Sequence, residues 1–323
     1  NWSISTDTGV NLLEPGDSPR ENAQFLLFLT AVIKAVDDYQ DLLRVSVASA
    51  GNDHRLGANE APPAIVSMFL GDELTAILES IEKDAAYDPK DTEELRVGVH
   101  ILPRFPKDTT DRNRTSPFAF TGNKFEFRML GSAQSISGPN VILNTAVAEE
   151  LCQFADHLEA ADDFGSALHT LIQQTIAAHK RIIFNGNNYT EEWVAEAQRR
   201  GLLNLKTTAD ALPSFIAPKN AELFARHKIF TPSELQSRYE ILMEVYCKKL
   251  HIEALTMMDM ARRQILPAVT GYIHELTRCA LDKQALSGSL SCEFEKDTTS
   301  RLSVCCASIQ QTVTKLADDL SQA

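Results

Sequence analysis

DRNRTSPFAFTGNKFEFR, residues 111–128, is the stretch on which the fold turns. Lys124, Glu126 and Arg128 alternate with Phe125 and Phe127 at its end. That is the two-residue period of a β-strand, which sends three charged side chains to one face and two phenylalanines to the other. One face packs on a core while the other presents a carboxylate between two cations. Such a face suits an anionic ligand and a divalent metal, because carboxylates are hard oxygen ligands and guanidinium groups grip phosphate or carboxylate with two parallel hydrogen bonds. A solvated strand face has the same pattern, and the alternation alone leaves both readings open.

Outward from this strand the chain divides into a mixed first part and a helical second part. Residues 96–102 (RVGVHIL) alternate as a second strand. Further upstream, Ser18 with Glu21 three residues on has capping-box spacing, and Phe25, Leu26, Leu29, Val32, Ile33 and Val36 recur at helical intervals, so a long amphipathic helix is expected to end at 43–49. Residues 48–63 (ASAGNDHRLGANEAPP) read as a loop, and Pro63 as the first turn of a helix carrying Ile65, Met68, Phe69, Leu74, Ile77 and Ile81. From Gly138 onward, residues 141–158, 164–184, 191–201, 233–249, 252–278 and 298–320 show helical periodicity, with turns expected at 185–189 (NGNNY) and 211–220 (ALPSFIAPKN). The fold class is therefore α+β, strands and helices over residues 1–137 followed by a largely helical region over 138–323.

Composition bounds the function. With 323 residues and 44% hydrophobic content the chain can bury a substantial core. Its net charge of -13 argues against nucleic-acid binding, which needs a basic footprint to displace counterions. Any anionic ligand must then be held by local Arg and Lys clusters. No apolar run reaches the ~20 residues of a transmembrane helix, and the opening shows no signal-peptide pattern. Cys152, Cys247, Cys279, Cys292, Cys305 and Cys306 lack CxxC spacing and read as thiols of a reducing compartment, so a cytoplasmic location is expected. The histidines have no HExxH spacing.

Loop and strand together carry a more specific signal. HRLGANEAP at 54–62, NRTS at 113–116 and KFEFR at 124–128 follow one another in that order. This series resembles the glutamine synthetase family, in which an Arg, a Gly-containing flap ending in Glu-Ala-Pro, an Asn-Arg-Ser and a strand reading Arg/Lys-x-Glu-x-Arg occur in the same order. Departures exist. Asn59 stands where the commoner types carry Tyr, Thr115 stands for Ser, and FAF (118–120) lies where a further Arg is usual. Those departures, with NGNNYTEEWVAEAQRRGLLNLKTTADALP and SRYEILMEVYCKKLHIEALTMMDMARRQILPAV in the helical part, resemble the long type III branch. Ser3 is similar to the Ser that closes the His-x-x-x-Ser ATP-site signature, whose His would precede Asn1, so the chain is expected to be the C-terminal part of the enzyme.

The resemblance implies that residues 1–137 are the C-terminal part of the family's catalytic domain, an antiparallel sheet with helices, and that 138–323 are the helical region typical of the type III branch. It implies ATP-dependent ligation of ammonia to glutamate through a γ-glutamyl phosphate, with Mg2+ or Mn2+ bridging the nucleotide. It implies Glu126 as a metal ligand, Arg128 as the clamp on the transferred phosphoryl group and on substrate, and Arg55 as the grip on the glutamate carboxylate. Arg114, Lys124 and Ser3 would contribute to the ATP and phosphate pocket, and Glu60 on the flap would take a proton from ammonium. Glutamate, ATP and ammonia are the implied small-molecule partners, and a homo-oligomeric ring is implied for the full-length protein. The further metal ligands and the Gly-rich ATP loop would lie outside the chain, so residues 1–323 alone are expected to be inactive. Two alternatives stand beside this one: a glutamate–polyamine ligase of the same fold, and a non-catalytic helical interaction module.

Overall fold

The computed structural model describes residues 1–58, 61–85 and 114–322. The strand expected at 96–102 and the residues Asn59, Glu60 and Asn113 lie outside them. The fold is α+β and mostly helical, and two compact units divide it, Asn1–Met243 and Glu244–Ala323. The boundary expected at 137/138 concerns ancestry, to which compactness does not speak.

The first unit is organised around α1 (Ala23–Asp38), which is buried on nearly every side. Its apolar residues recur as the sequence predicts, but its cap differs. Asn22, not Ser18, accepts from the Phe25 N–H at 3.0 Å, while its amide donates to the carbonyls of Glu14 and Pro15. Ser18 instead turns the approach, its carbonyl accepting from Glu21 and Asn22. The chain breaks at Tyr39, so α2 (Gln40–Val45) is a separate helix. Residues 48–63 are not all loop, because Ser49 caps a short helix α3 (Ala50–Arg55) through the Asn52 N–H. Nor do residues 63–81 form one helix. Met68–Phe69 is strand β1, and Gly71, at φ 83°, turns the chain into α4 (Asp72–Glu82).

Strands β2 (Phe118–Phe120) and β3 (Phe125–Phe127) pair antiparallel, with Ala119 opposite Glu126, while β1 joins β2 in parallel. The sheet is thus mixed, of order β1-β2-β3, and not wholly antiparallel as expected. Gly122 makes the β2–β3 turn possible. At φ 94° it occupies a region that residues with a Cβ rarely adopt. The strand expected at 124–128 is shorter, since β3 covers Phe125–Phe127; on its apolar side Phe125 is fully buried and its ring stacks on Phe118 at 4.6 Å, with Phe120 and Phe25 completing an aromatic layer, while Phe127 is half-buried and edge-on to Phe118 at 5.9 Å.

The helical part follows the predicted periodicity closely. Helices α5 (Ser137–Glu159) and α6 (Phe164–His179) pack on α1, and α7 (Glu191–Arg199) starts at the N-cap Thr190. Residues 211–220 are not a plain turn. They hold the end of α8 (Thr208–Ala211), a 3-10 segment at Leu212–Ile216 and the start of α9 (Pro218–Arg226). Charged side chains meet between α1, α5 and α9. Glu149, buried, receives Arg226 and, at 2.7 Å, the His227 ring, while Glu150 pairs with Lys34. Burial pushes the Glu150 carboxyl above the ordinary value more than Lys34 lowers it.

The two helices expected at 233–249 and 252–278 are joined differently. Helix α10 (Pro232–Met260) runs through 250–251 without a break, and a π-turn at Ala261–Ile265 precedes α11 (Leu266–Leu286). Pro267 explains its place, since a proline lacks the N–H that the helix needs and a wider turn absorbs the mismatch. In the second unit α11 packs on α12 (Glu293–Gln322), with Met258, Ala261 and Val313 as its buried centre. All six cysteines are free thiols. Among the described residues, no helix is long and apolar enough to cross a membrane.

Candidate functional site

The polar face of β3 forms the centre of the candidate site. Because Glu126 and Arg128 are two residues apart they share that face, and the Arg128 fork closes on one carboxylate oxygen, Nη2 at 2.7 Å and Nε at 3.1 Å from Oε2. Both remain partly exposed, at 30% for Glu126 and 21% for Arg128, so solvent and ligands can reach the pair. Lys124 lies half-buried in the turn immediately before β3.

Ser3 reaches this strand through the backbone. Trp2 and Phe125 exchange both backbone hydrogen bonds at 2.8 Å, so the opening residues extend the sheet beyond β3. Directly opposed residues share a face in an antiparallel pair, which puts the Trp2 and Phe125 rings on the core side and Ser3 on the polar side. The Trp2 ring is fixed by its Nε1–H donating to Asn144 at 2.9 Å. The Ser3 hydroxyl donates to Asn11 Oδ1 at 2.7 Å and to the Asn123 carbonyl at 3.1 Å, and the Asn11 amide reaches the same carbonyl at 2.7 Å.

Arg55 arrives from the C-terminus of α3. Its Nη2 donates to the Arg128 carbonyl at 2.9 Å and its Nη1 to the Met129 carbonyl at 3.0 Å. The two arginines predicted from separate motifs, seventy-three positions apart in sequence, therefore meet at the end of β3. Asn52, 2% exposed, is the residue that enforces this meeting. Its amide donates to the Val47 carbonyl at 2.8 Å and the Met129 carbonyl at 2.9 Å, while its oxygen accepts from Arg55 Nη1 at 3.2 Å. Gln134 repeats the clamp, accepting from the Gly131 N–H and donating to the Val47 carbonyl and Ser49 hydroxyl. Sequence reasoning passed over both. For Asn52 the available signal was its position three before Arg55, the spacing at which side chains share a helix face.

Beyond α3 the described residues on either side of 59–60 are tied to one another. Gly57, at φ 80°, donates its N–H to the Pro62 carbonyl at 2.9 Å, and Ala61 donates to Ala58 at 3.1 Å, so the two ends of the loop that carries Glu60 are held together. Glu60 itself lies outside the described residues. Arg114 is exposed, on the turn that leads into β2. The structure thus ties the Arg55 side chain to the backbone at Arg128, next to the Glu126–Arg128 pair, has Ser3 and Lys124 beside the start of β3, and sets Arg114 at the entry of β2.

These residues do not by themselves make a divalent-metal centre. Such an ion takes about six oxygen ligands, and among the described residues the cluster offers one carboxylate, which a guanidinium grips. Among the described residues three metal-ligand side chains converge elsewhere, at Asp37, Asp38 and His179. Cations already neutralise that group: the Arg181 Nε donates to both Asp37 oxygens at 2.8 and 3.0 Å, and Lys34 pairs with Asp38 at 2.9 Å. It is a structural ion network between α1 and the end of α6.

Comparison with known proteins agrees with this arrangement. A sequence model described as the glutamine synthetase C-terminal domain matches residues 167–284. The chain is 45% identical to a glutamine synthetase of Butyrivibrio fibrisolvens over 325 aligned positions, which take in 100% of this chain and 46% of that protein. It is 49% identical to the type-3 glutamine synthetase of Dictyostelium discoideum, over 83% of this chain and 37% of that one, and 41% identical to a glutamine synthetase of Bacteroides fragilis (strain YCH46), over 85% and 39%. The chain spans less than half the length of the curated relatives it matches. With identity of this level running along its whole length, the chain belongs to the glutamine synthetase family and resembles its type-3 members.

Proposed function

We propose that this chain forms one wall of the active site of an ATP-dependent glutamate–ammonia ligase, the rest of the site coming from the portion of the relatives that the chain does not span. The observation that supports this most is the cluster at the end of β3, where Arg55 donates to the Arg128 carbonyl at 2.9 Å and Arg128 holds Glu126 at 2.7 Å. In the proposed reaction the γ-carboxylate of glutamate attacks the terminal phosphorus of ATP, and the bond to ADP breaks. Ammonia then attacks the acyl carbon, and phosphate leaves. Negative charge develops on the phosphoryl oxygens in the first step and on the acyl oxygen in the second. A fixed guanidinium beside that charge is worth on the order of 3 to 4 kcal/mol of barrier. Arg128 takes this role, with Glu126 keeping its planar fork oriented until substrate competes for it. Arg55, immobilised on two carbonyls, grips the glutamate carboxylate with its remaining N–H groups. Arg114, Lys124 and Ser3 line the ATP side.

Glu60 on the flap takes the proton that the attacking amine releases, and flap closure keeps water from the acyl phosphate. Glu126 offers one ligand to Mg2+ or Mn2+, further carboxylates being required from outside the described residues, and no step above depends on it. A homo-oligomeric ring and a cytoplasmic location belong to the same reading. The test uses the full-length protein with glutamate, ATP and either ammonium or a polyamine. Phosphate release with ammonium, accompanied by glutamine, is the expected result. Release that requires the polyamine transfers the reading to an amine ligase, and release with neither points to a non-catalytic helical module.

A further inference from the structure

The loop between α6 and α7 belongs to the helical part of the chain, yet it is tied into the sheet at several points. Ile183 bridges Met68 in parallel, and the Phe184 N–H donates to the Met68 carbonyl at 2.8 Å. Asn185 accepts from the N–H groups of Leu70 and Gly71, both at 3.2 Å, and donates to the Thr75 hydroxyl at 2.8 Å, fastening the loop to the start of α4. Asn188, 1% exposed, closes the series. Its side-chain oxygen accepts from the buried Ser67 hydroxyl at 2.8 Å, and its own N–H donates to the Thr115 hydroxyl at 2.9 Å. On the far side of Thr115 the chain enters the core at once, since Ser116 is fully buried.

We infer that Asn188 is a positioning residue for the nucleotide side of the site, holding the Arg114–Thr115 turn through the Thr115 hydroxyl. This rests on the proposed role of Arg114 toward ATP. Arg114 is exposed and its side chain is long, so the cost of ordering it on an incoming phosphate depends on how firmly its backbone is already fixed. A hydroxyl acceptor at position 115 is the feature the contact needs, and either Thr or Ser supplies it. A valine of the same shape does not. The contact also gives NGNNY a purpose beyond a turn between helices: it relays the rigid β1–α4 scaffold, through Ser67 and Asn188, to the residue beside Arg114.

The experiment measures ATP affinity and steady-state kinetics in the full-length protein for Thr115→Val, Thr115→Ser, Ser67→Ala and Arg114→Ala, with the unfolding midpoint of each variant as a control. Thr115→Val is expected to weaken ATP binding roughly five- to tenfold, with the KM for glutamate unchanged. Thr115→Ser restores it, and Ser67→Ala weakens it in the same direction. Adding Thr115→Val to Arg114→Ala produces no further loss. ATP affinity within about twofold of wild type in a folded Thr115→Val protein overturns the inference, as does an undiminished effect of Thr115→Val in the Arg114→Ala background. A wild-type protein that binds no ATP overturns the functional reading itself, and is told apart by that first measurement.

Discussion

Replacing Asn52 by alanine tests the clamp that brings Arg55 to Arg128. The side chain makes three hydrogen bonds in a site 2% exposed: two donated to the carbonyls of Val47 and Met129, and one accepted from Arg55. A neutral buried hydrogen bond contributes about 1 kcal/mol and one to a charged group about 1.5–3 kcal/mol. Neither carbonyl is left bare, because Gln134 still donates to Val47 at 3.1 Å and Arg55 to Met129 at 3.0 Å. The heavier penalty of orphaned acceptors is thereby avoided, and with the 3.2 Å bond from Arg55 at the low end of its range a loss of about 3.5 kcal/mol is expected. Urea unfolding of the 323-residue chain reads it through the fluorescence of Trp2 and Trp193, its two tryptophans, both buried in the same unit as Asn52. With a denaturant slope of about 3 kcal/mol per molar, the midpoint falls by about 1 M at unchanged slope. A fall of less than about 0.3 M would mean that Gln134 and Arg55 hold the segment without Asn52, and that Asn52 is no clamp.

Glu149→Gln separates one acid-sensitive contribution. Burial pushes this carboxyl up, but the hydrogen bonds from Gln153 and His227 and the charge of Arg226 together outweigh it, so it is held below the ordinary glutamate value. Its stabilisation is therefore complete above about pH 4.3 and is lost as pH falls through the lower folded value. The wild-type midpoint should drop in that window more steeply than the Glu149→Gln midpoint, and parallel curves would count against the assignment. Gly122→Ala meets no atom within 4 Å, so its cost comes from backbone conformation alone, φ being 94°. About 1–2 kcal/mol should be lost in urea unfolding, and no loss would show that the turn relaxes to negative φ. The isolated 323-residue chain should show no γ-glutamyl transfer in a hydroxylamine assay, whereas measurable transfer would mean that the described wall suffices.

Much of this was legible in the sequence where the element is long or its period strict. The β3 alternation and helices such as α5, α6 and α7 follow from apolar spacing, because their faces bury enough surface to override local alternatives. Misreadings fall where one residue decides. Asn22 wins over Ser18 as N-cap because its amide also reaches Glu14 and Pro15, and Gly71 splits a helical pattern that Pro63 had promised to start. The site was read from motif order, which names Arg55, Glu126 and Arg128 but not what joins them. Asn52 and Gln134 reach backbone carbonyls, and Asn188 reaches the hydroxyls of Ser67 and Thr115, all far along the chain, and such contacts leave no periodic trace.

The central claim is that the β3 face serves phosphoryl transfer to the γ-carboxylate of glutamate. In that reaction one carboxylate oxygen leaves with the phosphate. The most direct measurement supplies the full-length protein with glutamate labelled with heavy oxygen in its γ-carboxylate, together with ATP and ammonium, and analyses the released phosphate by mass spectrometry. One labelled oxygen is expected in each phosphate, formed about 10²- to 10³-fold more slowly by the Arg128→Ala protein. Unlabelled phosphate, or labelled phosphate formed at an unchanged rate without Arg128, would contradict it.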